Sequence, residues 1–460
     1  MGNECSSWQT PPEDVMEKIL QLVDFADQRM LGQVSKSWRS IVFQTFTRGA
    51  RRHLPWLILP KSLNCKSNKY LSFLNFPDNK LSAGKITKLK LPKRLQGGCI
   101  NGSCKGWLII IKEKGLDSEM CLVNPISGVI HKLPPLRTIP YFKDFVKSRR
   151  WELLGANGFC NSVKMSTPDG YINSSSNFII AAVFDDRNML CLCRPGDENW
   201  SFFPVCDVIC DILFSSSTLY ALVWNEEKDG VVAPTYPLNF AHHDAGHLML
   251  KLVYDKHQDT NDIIDDYHND YKRASNAQIR QMLLESTSKE VMVVHQVFDY
   301  IIEKKVDGDE QINENGDEDG AGIGDFEGNN DDEGGGASDV EEVINDTTKN
   351  VRVRTSRFVF YKIDERNNNF DVMQSLGDQL LFCGDDGVFS LPAGNIKDVE
   401  NDCIYFITNF CRMVDLEFGA TTCMSDGYGI FYLNGQIIEG PYQGGEISLK
   451  YQGSWFTPSL

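Results

Sequence analysis

A short apolar run, a polar turn and a second apolar run recur along most of this chain. Cys121-Leu122-Val123 leads through Asn124-Pro125-Ile126-Ser127-Gly128 into residues 129–135. Residues 189–193 lead through Arg194-Pro195-Gly196-Asp197-Glu198 into 200–204. The pattern returns at 358–373, around Asp364-Glu365-Arg366-Asn367-Asn368, and at 430–438, around Asn434-Gly435. Runs this short, bounded by Gly, Pro, Asn and Asp, read as strands closed by tight turns. An isolated hairpin is marginal in water, so each unit must bury its faces on a neighbour. Repetition over about 300 residues predicts radial blades, a β-propeller of about six to seven degenerate units in preference to a sandwich. No WD or kelch signature accompanies the repeat.

The 460 residues leave room for two or three domains, and 42% hydrophobic content supplies a sizeable core. No run of eighteen apolar residues occurs and no apolar h-region opens the chain, so neither a membrane span nor a secretory signal is expected. The 14 scattered cysteines then read as reduced thiols, and the expected location is cytoplasm or nucleus. The formal net charge of −17 is a local device. Residues 307–346 hold sixteen Asp and Glu and no Lys or Arg, and without them the charge is about −1. A nearly neutral remainder argues against nucleic acid as the main partner.

Residues 8–46 follow a different rule. Thr10 is placed as an N-cap ahead of a proline in the first helical turn, and Glu13 and Asp14 suit the helix dipole. Val15, Met16, Ile19, Leu20 and Val23 share one helical face. A second segment sets Met30, Leu31, Val34, Trp38, Ile41 and Val42 at helical spacing. About forty residues bury too little surface to stand alone. Either they pack on the main domain or a partner covers them.

Pro12, Asp14, Val15, Ile19, Leu20, Val34, Lys36, Ser37, Trp38 and Arg39, at their spacing, give this stretch a family likeness: it resembles the F-box. Pro11 stands where leucine is usual and Ser35 where cysteine is common, and Gly32 costs about 1 kcal/mol against alanine in a helix. The resemblance implies a three-helix module that docks a Skp-type adaptor and, through it, a cullin of a ubiquitin ligase. The docking set it implies is Pro12, Val15, Met16, Ile19, Leu20, Leu31, Val34 and Trp38. Trp38 reads as a core anchor, and Leu20 with the Val15/Met16 edge as partner contacts.

A second ordered series follows. It comprises 102–108 (Gly-Ser-Cys-Lys-Gly-Trp-Leu), Asn124-Pro125 with Leu133-Pro134-Pro135, and 193–197 with Trp200. It continues through Ser375-Leu376-Gly377-Asp378, 381–385, Phe389-Ser390-Leu391, 401–406 and Gly429-Ile430-Phe431. This series is similar to a plant-specific β-propeller family of uncharacterised function that commonly follows an F-box. The resemblance implies the substrate receptor of an SCF-type ligase, with a protein target whose identity it does not give. Such a receptor is not an enzyme. The rival readings are a propeller scaffold outside any ligase and, further off, a propeller hydrolase working in its channel.

The expected division is an F-box at 8–46, a linker at 47–60 and a propeller at 61–455. A partly helical insertion at 255–290 and a disordered acidic, Gly-rich loop at 306–350 interrupt the propeller. Target binding is expected on rim loops at 140–151, with Tyr141, Phe142, Phe145 and Trp151, and at 224–239, with Tyr236. Metal and cofactor chemistry finds no pattern. Asp307, Asp309, Gln311 and Glu318 fit part of a calcium loop, but Ile312 holds the position that needs glycine. His242, His243 and His247 lack a zincin glutamate, Cys191 and Cys193 share a strand face, and Gly427-Tyr428-Gly429 reads as a turn. Finally, Met1-Gly2-Asn3-Glu4-Cys5-Ser6 fits a myristoylation pattern at Gly2 with Cys5 placed for palmitoylation. The membrane is a partner only if that acylation occurs.

Overall fold

The computed structural model describes residues 12–23, 30–32, 34–47, 54–59, 69–76, 85–166, 178–184, 189–225, 228, 230–238, 248–255, 278–303, 350–367, 369–396, 399, 401–408, 422–425, 427–433, 437–439 and 453–458. The acidic run, the histidine group, the partial calcium loop, Gly2, Cys5 and Thr10 lie outside them.

Six antiparallel or mixed sheets of four or five strands follow one another along the chain. Blade one joins Ser454–Phe456 to Trp56–Ile58, Tyr70–Asn75 and Lys85–Lys90. Blade two spans Cys99–Cys104 to Ile130–Lys132, and blade three Cys160–Met165 to Ser201–Pro204. Blade four holds Val208–Ser215, Thr218–Trp224, Met249–Tyr254 and Val232–Pro237, in that spatial order. Blade five runs from Gln278–Glu285 through Val291–Glu303 and Asn350–Asp364 to Asn369–Val372, with Thr422–Ser425 added in parallel. Blade six places Gly387–Pro392 innermost, then Gln379–Gly384, Cys403–Thr408, Gly427–Tyr432 and Ile437–Glu439. The inner strand of each blade lies beside that of the next, and blade six returns to blade one. The fold is a closed six-bladed propeller.

Strand alternation explains why the ring forms. Successive side chains point to opposite faces. Trp107, Ile109 and Ile111 pack with Cys160, Val163 and Ile180 between blades two and three. Leu108 and Ile110, from the same strand, pack with Leu71, Phe73 and Phe456 between blades one and two. Blade six repeats the division: Leu380 and Phe382 face Leu57 and Trp455, while Leu381 and Cys383 face Met282 and Leu284. Separate clusters fill the third-to-fourth and fourth-to-fifth gaps. The strands Trp107–Lys112 and Gln379–Gly384, each second from the centre of its blade, are therefore apolar on both faces, which is why such runs do not alternate with polar residues.

The ring closes between the two ends of the propeller sequence. Trp56 pairs with Phe456, Leu57 with Trp455 and Ile58 with Ser454. Residues 47–60, expected as a linker, therefore contain a strand of blade one. Residues 278–290, expected as partly helical, form a strand and turn: Gln278–Glu285 pairs with its neighbour from Gln278↔Phe298 to Glu285↔Val291. The rest of that insertion, 256–277, lies outside the described residues. Gly427-Tyr428-Gly429 is not a turn but part of a strand paired with Cys403–Thr408.

Ahead of the propeller stand two helices, Glu13–Leu22 and Lys36–Thr47, with helical residues 30–32 and 34 between them. Pro12 itself holds the first helix's cap position, and its carbonyl accepts the Met16 N–H at 3.1 Å. Ser35 caps the second helix: its Oγ accepts the Trp38 N–H at 3.1 Å. The serine in the place of the usual cysteine thus has a local structural use. Gly32 has no such requirement. A Cβ there would meet only ordinary contacts, Val42 Cγ1 at 3.8 Å being the nearest. Gly32→Ala is expected to stabilise the helix by about 0.5–1 kcal/mol. Amide hydrogen exchange at residues 30–32 and 34 should slow several-fold, and faster exchange would show that the methyl is not accommodated.

Candidate functional site

The helical module has a small core and an uncovered apolar side. Met16, Leu20, Ile41 and Val42 are buried together, with Ile19, Leu31 and Trp38 packed at their edge. Val15, Leu22, Met30 and Val34 are 38, 86, 59 and 62% exposed. Pro12 is exposed as well. This divides the expected docking set. Pro12, Val15 and Val34 stand on the surface, Ile19, Leu31 and Trp38 at the edge. Met16 and Leu20, expected as partner contacts, instead hold the helices to each other. Leu22 and Met30, outside that set, are exposed as well; helical spacing does not say which of two adjoining apolar stripes meets the second helix.

The propeller rim divides in a similar way. Phe142 and Phe145 lie in short helices, Phe142–Val146 followed by Arg149–Leu154, where a loop was expected. Both rings are buried, and both pack edge-on to Trp151 at 6.2 Å and against Phe159 at 5.0 Å. Phe142 and Phe145 therefore belong to the core between blades two and three rather than to an exposed rim, and Trp151 packs half-buried against it. Tyr141, in left-handed backbone at φ 62°, is the one of the four that faces outward. Residues 232–237, also expected as loop, form the outer strand of blade four, which carries the exposed Tyr236. Tyr236 pairs with Leu250 and hence lies near Leu219, whereas Trp224 pairs with Val208 at the other end of the blade. Trp224 and Val231 are therefore exposed on the face where the inner strands begin, and Tyr141 lies in the connection entering that same face.

The central channel carries charges that the sequence did not reveal as a group. Lys164 Nζ donates to the Asp386 carbonyl at 2.7 Å and lies 3.8 Å from Asp211 Oδ1. Asp211 also accepts from Ser162 Oγ at 3.2 Å and the Leu283 N–H at 3.0 Å. Asp386 Oδ2 accepts the Ser103 N–H at 2.7 Å and Ser454 Oγ at 2.5 Å. Arg280 Nη2 donates to Asp385 Oδ1 at 2.7 Å, and Asp385 Oδ2 accepts the Gly453 N–H at 2.6 Å. One network thus touches all six blades. Burial pushes the Asp386 carboxyl up, against the pull of Lys164 and the Ser454 hydrogen bond. Burial alone would lower the Lys164 ammonium, but the Asp211 and Asp386 carboxylates raise it. Gly387, at φ +121°, leaves room for Lys164: a Cβ there would stand 2.4 Å from its Nζ. The groups satisfy one another, so the arrangement pins blades together. Among the described residues, no three His, Cys, Asp or Glu are grouped to hold a metal.

The cysteines fit the same division between core and surface. Burial pushes Cys191 and Cys383 up to about 12 and Cys193 well above the usual thiol range, while Cys206 is exposed. Only thiolates alkylate readily. Iodoacetamide at pH 8 is expected to label Cys206 and to spare Cys191, Cys193 and Cys383 until denaturant is added. Peptide mapping that finds the buried three labelled in the native protein would contradict this packing.

A helix pair with exposed apolar residues precedes a closed six-bladed propeller. Family comparison agrees with both parts. An F-box domain model matches residues 12–44, and a KIB1-4 beta-propeller model matches 73–432. The second match covers most of the chain, which belongs to that propeller family. The matched range omits both closure strands, Trp56–Ile58 and Ser454–Phe456. Comparison with curated proteins returns no match.

Proposed function

We propose that this chain is the substrate-recognition subunit of an SCF-type ubiquitin ligase. Its F-box docks a Skp-type adaptor, which links it to a cullin, and its propeller holds a protein target. The observation that carries the reading is the uncovered apolar side of the helix pair, Val15, Leu22, Met30 and Val34, in a domain that matches the F-box. Four exposed apolar residues on so small a unit favour a partner. The role assigns no bond-making step to this chain. It raises the effective concentration of target lysines near the charged ubiquitin-carrying enzyme. The target surface is assigned to the face bearing Tyr141, Trp224 and Val231, where aromatic anchors stand on a rigid frame. With that role goes a proposed location in the cytoplasm and/or nucleus.

The test is copurification. Full-length chain co-expressed with a Skp-type adaptor and a cullin is expected to form a stoichiometric complex by size-exclusion chromatography. Soluble, folded chain that elutes apart from the adaptor would overturn the reading.

A further inference from the structure

Residues 61–112 hold eleven Lys and Arg and one acid, Asp78. The near-neutral total outside the acidic run conceals this stretch. In the fold it supplies the outer strand of blade one, Lys85–Lys90, and the turn Lys93–Leu95. Lys69, Lys85, Lys88, Lys90, Lys93 and Arg94 are all exposed, and none has a carboxylate partner among the described residues.

Edge strands often carry lysine merely to discourage pairing with other chains. The remaining blades show that this ring does not require it. Their outer strands, Ile130–Lys132, Ser201–Pro204, Val232–Pro237, Asn369–Val372 and Ile437–Glu439, hold one Lys or Arg in all. That one, Lys132, lies 3.9 Å from Glu119. Positive charge left unpaired on a single blade points to a ligand.

We propose that the outer face of blade one is a docking surface for an acidic polypeptide, and that its occupant is the chain's own segment 307–346. The charges are complementary: sixteen acids and no base in the segment, against six exposed cations on the outer strand and its flanks, Lys88 and Lys90 on the same side of the strand as Ile86 and Lys85 on the other, with no carboxylate partner among the described residues. The tether permits it. Glu303 pairs with Asn350, so both ends of the segment leave blade five at one point, two blades from blade one around the ring. Half of the forty-six intervening residues, extended, reach roughly 75 Å. A tethered segment is also present at an effective concentration that no free partner of equal affinity matches. Nucleic acid is disfavoured on two grounds. The sixteen acids tethered at 307–346 repel a polyanion at long range. The basic face also includes the apolar Ile86, 57% exposed, and Tyr70, 52% exposed and opposite Lys90. These suit a segment containing Ile323 and Phe326 better than a phosphate backbone.

Lysine footprinting tests the proposal in the full chain. Limiting acetylation followed by mass spectrometry compares wild type with a chain whose sixteen acids at 307–346 are changed to Asn or Gln. Lys85, Lys88 and Lys90 are expected to react at least threefold more slowly in wild type at low salt. The difference should vanish in about 0.5 M salt, where the screening length falls to a few ångströms. Lys143, exposed on blade three's entry helix, is the control and should react equally in both chains. Equal rates at the three lysines, or a slowing that Lys143 shares, overturn the proposal. A short DNA duplex that protects these lysines equally in both chains also overturns it, and marks the face as a phosphate site.

Discussion

Trp455→Ala is expected to cost roughly 3–5 kcal/mol and to open the propeller ring. Trp455 is among the largest fully buried side chains, and it sits in the closure strand. Its ring packs against Phe382 at 5.5 Å, Phe76 at 6.3 Å and Tyr405 at 6.4 Å, so it fills the gap between blades six and one. Its Nε1–H donates to the Cys383 carbonyl at 3.0 Å, and Ser103 Oγ donates to its own carbonyl at 2.5 Å. Loss of the indole therefore leaves a cavity and an unpaired buried carbonyl together. The closure strand has only three residues, Ser454–Phe456, so little else holds it. Urea denaturation should show a lower midpoint, and hydrogen exchange should rise first in blades one and six. A midpoint shift worth less than about 1 kcal/mol would mean that the channel network alone keeps the ring shut.

Much of this architecture was legible and some was not, for reasons of range. The hairpin units at 121–132, 189–204 and 358–372 are local, and turn residues mark them directly. Blade number is not local. It depends on which side each strand face meets, and Trp107 and Leu108 look alike in sequence although they serve different interfaces. Closure joins strands from the two ends of the propeller, and Trp56–Ile58 is too short to signal itself beside a basic connector. The Gln278–Glu285 strand imitated a helix because its polar residues Gln278, Arg280 and Gln281 interrupt an apolar run. Arg280 faces the channel, where it meets Asp385. The channel network has the same origin: Ser103, Lys164, Asp211, Arg280 and Asp386 are scattered through the chain and converge only when the ring closes. Aromatic residues at 140–151 suggested a binding rim, but a helical turn folded Phe142, Phe145 and Trp151 inward. Averaging the charge hid the basic face of blade one, since acids elsewhere balance it.

Leu20→Asp and Val15→Asp should part company in a way that tests the helical module itself. Leu20 is 2% exposed between the two helices, against Met16, Ile41 and Val42. Truncating such a leucine costs about 2–5 kcal/mol, and a buried unpaired carboxylate adds a desolvation penalty. A core this small cannot absorb that, so the helices should lose hydrogen-exchange protection and adaptor binding together. Val15 lies five residues earlier in the same helix but is 38% exposed, and its position in the first turn favours a negative charge through the helix dipole. Val15→Asp should leave the helices within about 0.5 kcal/mol of wild type. If Val15 meets the adaptor, the same change buries a charge at the interface and should weaken binding at least tenfold by titration calorimetry. Leu22→Asp, at 86% exposure, should behave in the same way. Loss of binding by Leu20→Asp alone, with Val15→Asp and Leu22→Asp unchanged, would separate the exposed stripe from the docking surface and send the adaptor to another face of the module.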